Sequence, residues 1–169
     1  MATRISAFAS RELRAVIETL PRLDRELRKE IRTRTKSAAL DIWRQEVTEQ
    51  ATSPLDFGVL VKSARVRVSD QNVTLTAGSV GRPLSGGLSP KEHWFAVEYG
   101  AGEKRTTYTR RSVRGRTYQS TRIQNRGLPA RNEKGRVLGP AADRSIKRVA
   151  ALWMQTTART MFDALEGKL

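Results

Sequence analysis

Between Lys104 and Gln124 the chain carries seven lysines and arginines, no carboxylate, and only two large aliphatic side chains, Val113 and Ile123. A segment so composed has too little apolar surface to fold over a core of its own, so any core must come from the sequences on either side. The segment is nonetheless patterned. Thr107, Thr109 and Arg111 alternate with Tyr108, Arg110 and Ser112, and Thr117, Gln119 and Thr121 interleave with Tyr118, Ser120 and Arg122. Threonine and tyrosine favour strands, and Val113-Arg114-Gly115-Arg116 supplies a glycine where a tight turn needs positive φ. The expectation is a basic β-hairpin arm, inserted over 101–138 into one domain spanning 1–169. A two-stranded hairpin is marginal in water by itself, so it needs a partner, and the partner should be negative.

The charge distribution sharpens this point. The net charge is +15, and residues 101–139 hold 11 basic and 2 acidic side chains, or +9 of it. The remaining three quarters of the chain is an ordinary mixed surface. Arginine outnumbers lysine 24 to 8, which favours bidentate and stacking contacts. Three readings of the arm follow: a solvated surface loop, a nucleic-acid contact in which Tyr108 and Tyr118 stack among arginines, or an arm that docks on acidic surfaces of neighbouring protein subunits. In each, the residues singled out are Arg105, Tyr108, Arg110, Arg111, Arg114, Arg116, Tyr118 and Arg122.

The flanks read as core-forming. Ser10 is a candidate N-cap for a short helix with Leu13, Val16, Ile17 and Leu20 on one face. Pro21 interrupts it and suits the first turn of a new helix. A long amphipathic helix then runs to about Gln50, with Leu23, Leu27, Ile31, Ala38, Ile42 and Val47 as its stripe and Ala39 and Trp43 beside it. The segment 51–58 reads as a turn. "VLVKSARVRVSD" and "NVTLTAGS" read as two strands joined at Asp70-Gln71-Asn72, 80–93 as a loop, and "WFAVEYG" (94–100) as a third core strand. Gly139-Pro140 opens a closing helix with Ile146, Val149, Ala150, Trp153, Thr157, Met161 and Leu165 on one stripe. This order predicts an α+β fold: a small antiparallel sheet packed by an N-terminal helix pair and a C-terminal helix.

Little here suggests chemistry. With no cysteine and a single histidine, His93, thiolate and multi-histidine metal sites are excluded, and cysteine-free composition suits a reducing compartment. Glu92 and Glu98 have no acid or base at a telling spacing. "GRPLSGG" (81–87) lacks the Gly-Lys-Ser/Thr of a phosphate loop. No apolar run is long enough to span a bilayer, and the first residues lack the apolar stretch of a signal peptide. No enzyme, no cofactor and no membrane partner is expected. A small toxin-like RNA endonuclease, using His93 with Tyr and Arg of the arm, is the enzymatic alternative.

Taken in order, the Arg/Glu-rich helix, "DFGVLVKSARVRV", "WFAVEYGA" and "GPAADRSIKRVAALWMQTTARTMFDAL" resemble the neck or tail-component proteins of long-tailed bacteriophages, over roughly residues 8–165. Val97, Glu98, Tyr99 and Gly100 match the strand-end motif of that family, with Ala101 where threonine is common. Gly139 and Pro140 stand where its variable loop enters the last helix, and the segment between is an enlarged, basic version of that loop. The resemblance implies a structural virion protein of the head–tail connector, assembled in the host cytoplasm. Such a protein forms a six-fold or twelve-fold homo-oligomeric ring, or a tail-terminator ring, between the portal-bound adaptor or stopper and the tail tube. No catalysis or cofactor is implied, and contact with exiting genomic DNA is a secondary role. A basic nucleic-acid-binding module is the alternative.

Overall fold

The computed structural model describes residues 2–5, 11–125 and 127–167. Strand β1 (Ala2–Ile5) precedes helix α1 (Arg11–Thr19), a single 3-10 turn (Leu20–Arg22) and the long helix α2 (Arg25–Gln50). Helix α3 (Pro54–Asp56) runs directly into a π-type turn (Phe57–Val61). Strands β2 (Arg65–Val68) and β3 (Val73–Thr76) follow, then helix α4 (Pro90–Tyr99), strands β4 (Lys104–Arg111) and β5 (Thr117–Gln124), and the closing helix α5 (Leu138–Leu165). The fold is α+β: the antiparallel sheet β1-β3-β2 lies against helices, and β4-β5 form a separate two-stranded sheet.

The N-terminal helix pair forms as its pattern dictates. Pro21 falls in the 3-10 turn, and α2 restarts with the Asp24 carboxylate accepting from the Glu26 N–H. The buried line of α2 is Ile31, Thr35, Ala39, Trp43, Glu46 and Val47, so the stripe is centred on Ala39 and Trp43, while Ala38 and Ile42 lie half-buried at its border. In α5 the buried line includes Leu138, Ala141, Ala142, Ser145, Val149, Ala150, Trp153, Thr157 and Thr160. Leu165, expected on that stripe, is exposed. The two helices pack along their lengths, and Trp43 and Trp153 are the largest side chains in the core they share with the sheet. Trp43 Nε1 also donates to the Thr76 carbonyl at 3.1 Å, tying α2 to β3.

On the sheet, Val66 pairs with Leu75 and Val68 with Val73, and this face turns toward the helices. Arg65, Arg67, Thr74 and Thr76 alternate onto the other face. The turn at Asp70-Gln71-Asn72 is present, closed by the Ser69 N–H on the Asn72 carbonyl and by Ser69 Oγ.

Three expectations are corrected. First, "WFAVEYG" is not a strand: Pro90–Tyr99 is helix α4. A short run rich in Trp, Phe, Val and Tyr carries no decisive period, and Pro90 at the first helical position decides the matter, with the Glu92 and His93 N–H groups donating to the Ser89 carbonyl. The motif Val97, Glu98, Tyr99, Gly100 is therefore a helix end rather than a strand end. Second, the strand read from Val59 begins only at Arg65. Ser53 and Asp56 form a reciprocal capping box around Pro54, and the helical turns it nucleates carry the chain through Val61. Third, β1 was not foreseen; it pairs antiparallel with β3 from Ala2↔Thr76 to Ile5↔Val73. The expected cap Ser10 lies outside the described residues.

Trp153→Ala would leave a cavity at the centre of the α2–α5 contact. A loss of about 3–5 kcal/mol is expected, read as a lower urea midpoint in a single transition monitored by helical circular dichroism.

Candidate functional site: a stapled basic arm

The arm is what the sequence promised in outline: β4 and β5 pair antiparallel from Lys104↔Gln124 to Arg111↔Thr117. Among the described residues no third strand joins them, and nearly every residue of both is exposed. The turn is closed by Ser112 N–H on the Arg116 carbonyl at 2.8 Å and Gly115 N–H on the Ser112 carbonyl at 2.9 Å, with Val113 fully exposed at the tip. At about 3.4 Å per residue, each eight-residue strand reaches roughly 27 Å. The hairpin gains nothing from the core.

Its foot is firmly held. The outgoing and returning legs are bonded across: Ala101 N–H to the Pro129 carbonyl at 3.1 Å, Asn132 N–H to the Tyr99 carbonyl at 2.7 Å, and Arg136 N–H to the Glu98 carbonyl at 3.2 Å. Gly100 turns the chain out of α4 with φ 74°, and a Cβ there would overlap the Ala130 carbonyl.

Two buried carboxylates complete the clamp. Glu98, at the end of α4, is fully buried and accepts from three consecutive backbone N–H groups at the start of α5: Val137 (3.2–3.3 Å), Leu138 (2.9 Å) and Gly139 (3.1 Å). Helix α5 has Val137 in the cap position and no side-chain cap of its own. Its next residue, Pro140, has no N–H, and Ala141 N–H already bonds the Val137 carbonyl. Glu98 therefore satisfies every orphan donor of that helix start from 40 positions away, where the helix dipole also favours negative charge. Gly135 makes room for it, since a Cβ there would overlap Glu98 Oε1.

The second carboxylate, Asp56, is also fully buried. It accepts from the Thr52 and Ser53 N–H groups and, at 2.9 Å and 3.0 Å, from Arg136 Nη2 on the returning leg. Burial pushes its carboxyl up, but the hydrogen bonds from Ser53, Arg136 and Thr52 outweigh that and hold it below the usual carboxylate value.

The expected site residues divide by position. Arg114 and Arg116 are exposed at the turn. Arg105 Nε donates to Glu103 at 2.7 Å, and Arg111 Nε reaches the Gly115 carbonyl at 3.4 Å. The Arg110 guanidinium lies 5.1 Å from the Tyr108 ring centroid, and Tyr118 and Arg122 are exposed on β5. His93 is exposed on the first turn of α4, with Nδ1 3.1 Å from the Ser89 carbonyl, and no hydrogen bond joins it to the arm among the described residues. No cluster of three His, Cys, Asp or Glu side chains suited to a metal exists among the described residues, and no helix there is long and apolar enough to cross a membrane.

Sequence reasoning missed the roles of Glu98, Asp56 and Arg136. The available signal was a lone carboxylate inside "WFAVEY", set against a helix start, "RVLGP", with no Ser, Thr, Asp or Asn to cap it. Comparison of the chain with protein-family models, curated proteins and solved structures finds no significant match.

Glu98→Gln would place an amide NH₂ against N–H donors it cannot accept from. A loss of roughly 3 kcal/mol is expected, with faster hydrogen exchange at the Val137–Gly139 amides while the β4–β5 amides change little. For Asp56, a folded value below the ordinary value of about 3.9 means the stabilisation is present in full above pH 4 and fades as pH falls through the depressed value. Below pH 4, urea midpoints of the wild type should therefore drop more steeply than those of Asp56→Asn.

Proposed function

We propose that this protein is a structural subunit of the head–tail connector of a long-tailed phage, a neck-type protein that forms a homo-oligomeric ring joining the portal-bound adaptor or stopper to the tail tube. The observation that carries the reading is the arm: a paired hairpin of seven cations and no carboxylate, standing clear of the core on a foot held by buried carboxylates. A strand with an open edge presents unpaired N–H and C=O groups that a second chain can pair with. A ring neighbour does so without enlarging the monomer core, and arginine and tyrosine are the residues on which such contacts concentrate.

The residues of the family resemblance give a second line of support. Glu98, from the motif at one end of the variable loop, bonds the Gly139 N–H at the other end at 3.1 Å. The loop is thus a closed excursion from a continuous scaffold, as a docking arm of variable length requires. In this reading the protein is not an enzyme, takes no cofactor, and acts at the head–tail junction of the virion.

Phage assembled without this protein should accumulate filled heads and separate tails. A chain in which 103–125 is replaced by a short Gly-Ser linker should fold, by an unchanged urea midpoint, yet fail to restore joining. Infectious particles of normal yield in the absence of the protein would overturn the proposal.

A further inference from the structure

The pairing register divides the arm into two unlike faces. Cross-strand partners share a face and successive residues alternate, so Lys104, Tyr108, Arg110, Tyr118 and Arg122 fall on one side. Arg105, Thr107, Thr109, Arg111, Thr121 and Ile123 fall on the other, where Thr107 and Thr121 hydroxyls meet at 3.1 Å. The cations differ in state as well as position. On the threonine face Arg105 is engaged by Glu103, and Arg111 by the Gly115 carbonyl. On the tyrosine face no carboxylate lies within ion-pair distance of Lys104, Arg110 or Arg122 among the described residues, and Arg110 is held over the Tyr108 ring and directly opposite Tyr118.

We propose that this tyrosine face is a contact surface for the sugar–phosphate backbone of duplex DNA. The inference goes beyond the docking role proposed above and stands or falls separately from it. Its cations sit at ladder positions 104, 106 (Arg122, opposite Thr106) and 110, a span of about 20 Å along the ribbon. A row of one sign over that length matches duplex DNA, which presents a negative charge about every 1.7 Å of axis. A two-stranded ribbon is also of a width that the major groove admits. The Tyr108 ring already carries a guanidinium, so it organises a phosphate-binding cation rather than offering a free face to an unstacked base. That distinguishes this surface from a single-strand platform.

The test is binding of the full chain to a fluorescent random-sequence 30-base-pair duplex over a salt series, comparing two charge-matched pairs. Arg110→Ala with Arg122→Ala should lower the salt slope of log K by about 2 and weaken binding at least about tenfold near 0.1 M salt. Arg105→Ala with Arg111→Ala should shift the slope by less than about half that amount. Unchanged urea midpoints would show that both pairs fold. Equal losses from the two pairs would overturn the proposal in favour of bulk charge, as would no wild-type binding to the duplex. Tighter binding of polyglutamate than of duplex would overturn it in favour of an acidic protein partner. None of these results bears on head–tail joining, which the arm-replacement chain reports.

Discussion

Glu98 sits out of reach of water, and no cation pairs with it among the described residues; three amides at the start of α5 compensate it instead. A buried carboxylate so placed is costly unless its oxygens are filled, and here both are. The same contact decides where α5 begins, how α4 ends, and how far apart the two legs of the arm stand. The α2–α5 packing, which buries both core tryptophans, depends on α5 starting at Leu138, so the polar contact sets the geometry that the apolar burial then stabilises. Asp56, equally buried, works differently: it pairs with Arg136 and so fixes the returning leg to the α3 turn.

The legible parts of the sequence were those with a long period. Twenty-six residues of α2 and twenty-eight of α5 state their helical repeat many times over, and the hairpin at Asp70-Gln71-Asn72 is bounded by turn residues. The arm was legible because nothing but alternation organises it. What failed was short and apolar. In "WFAVEY" and "FGVLV" a few residues cannot distinguish a period of 3.6 from one of 2, and the outcome rests on Pro90 and on the Ser53–Asp56 box, local signals that override strand propensity. The role of Glu98 was invisible for a different reason: its partners lie 39 to 41 positions away, and only the folded topology brings them within hydrogen-bond distance.

The proposed connector role and the two-faced arm fit one physical picture. A scaffold of ordinary charge balance, with a core shared between helices and one small sheet, presents a finger whose order owes nothing to that core. The separation lets the finger's composition follow its partner rather than folding. Thr107 and Thr121 meet in register on one side, while on the other Arg110 is held over the Tyr108 ring.

The joined feet of the arm carry one more implication. Because Ala101 and Pro129 are bonded together, the cost of closing the excursion between them varies only with the logarithm of its length. Strands can be gained, trimmed or exchanged there without the scaffold registering the change. Related chains can then share a framework while carrying fingers of quite different size and charge, each matched to whatever stands beside it.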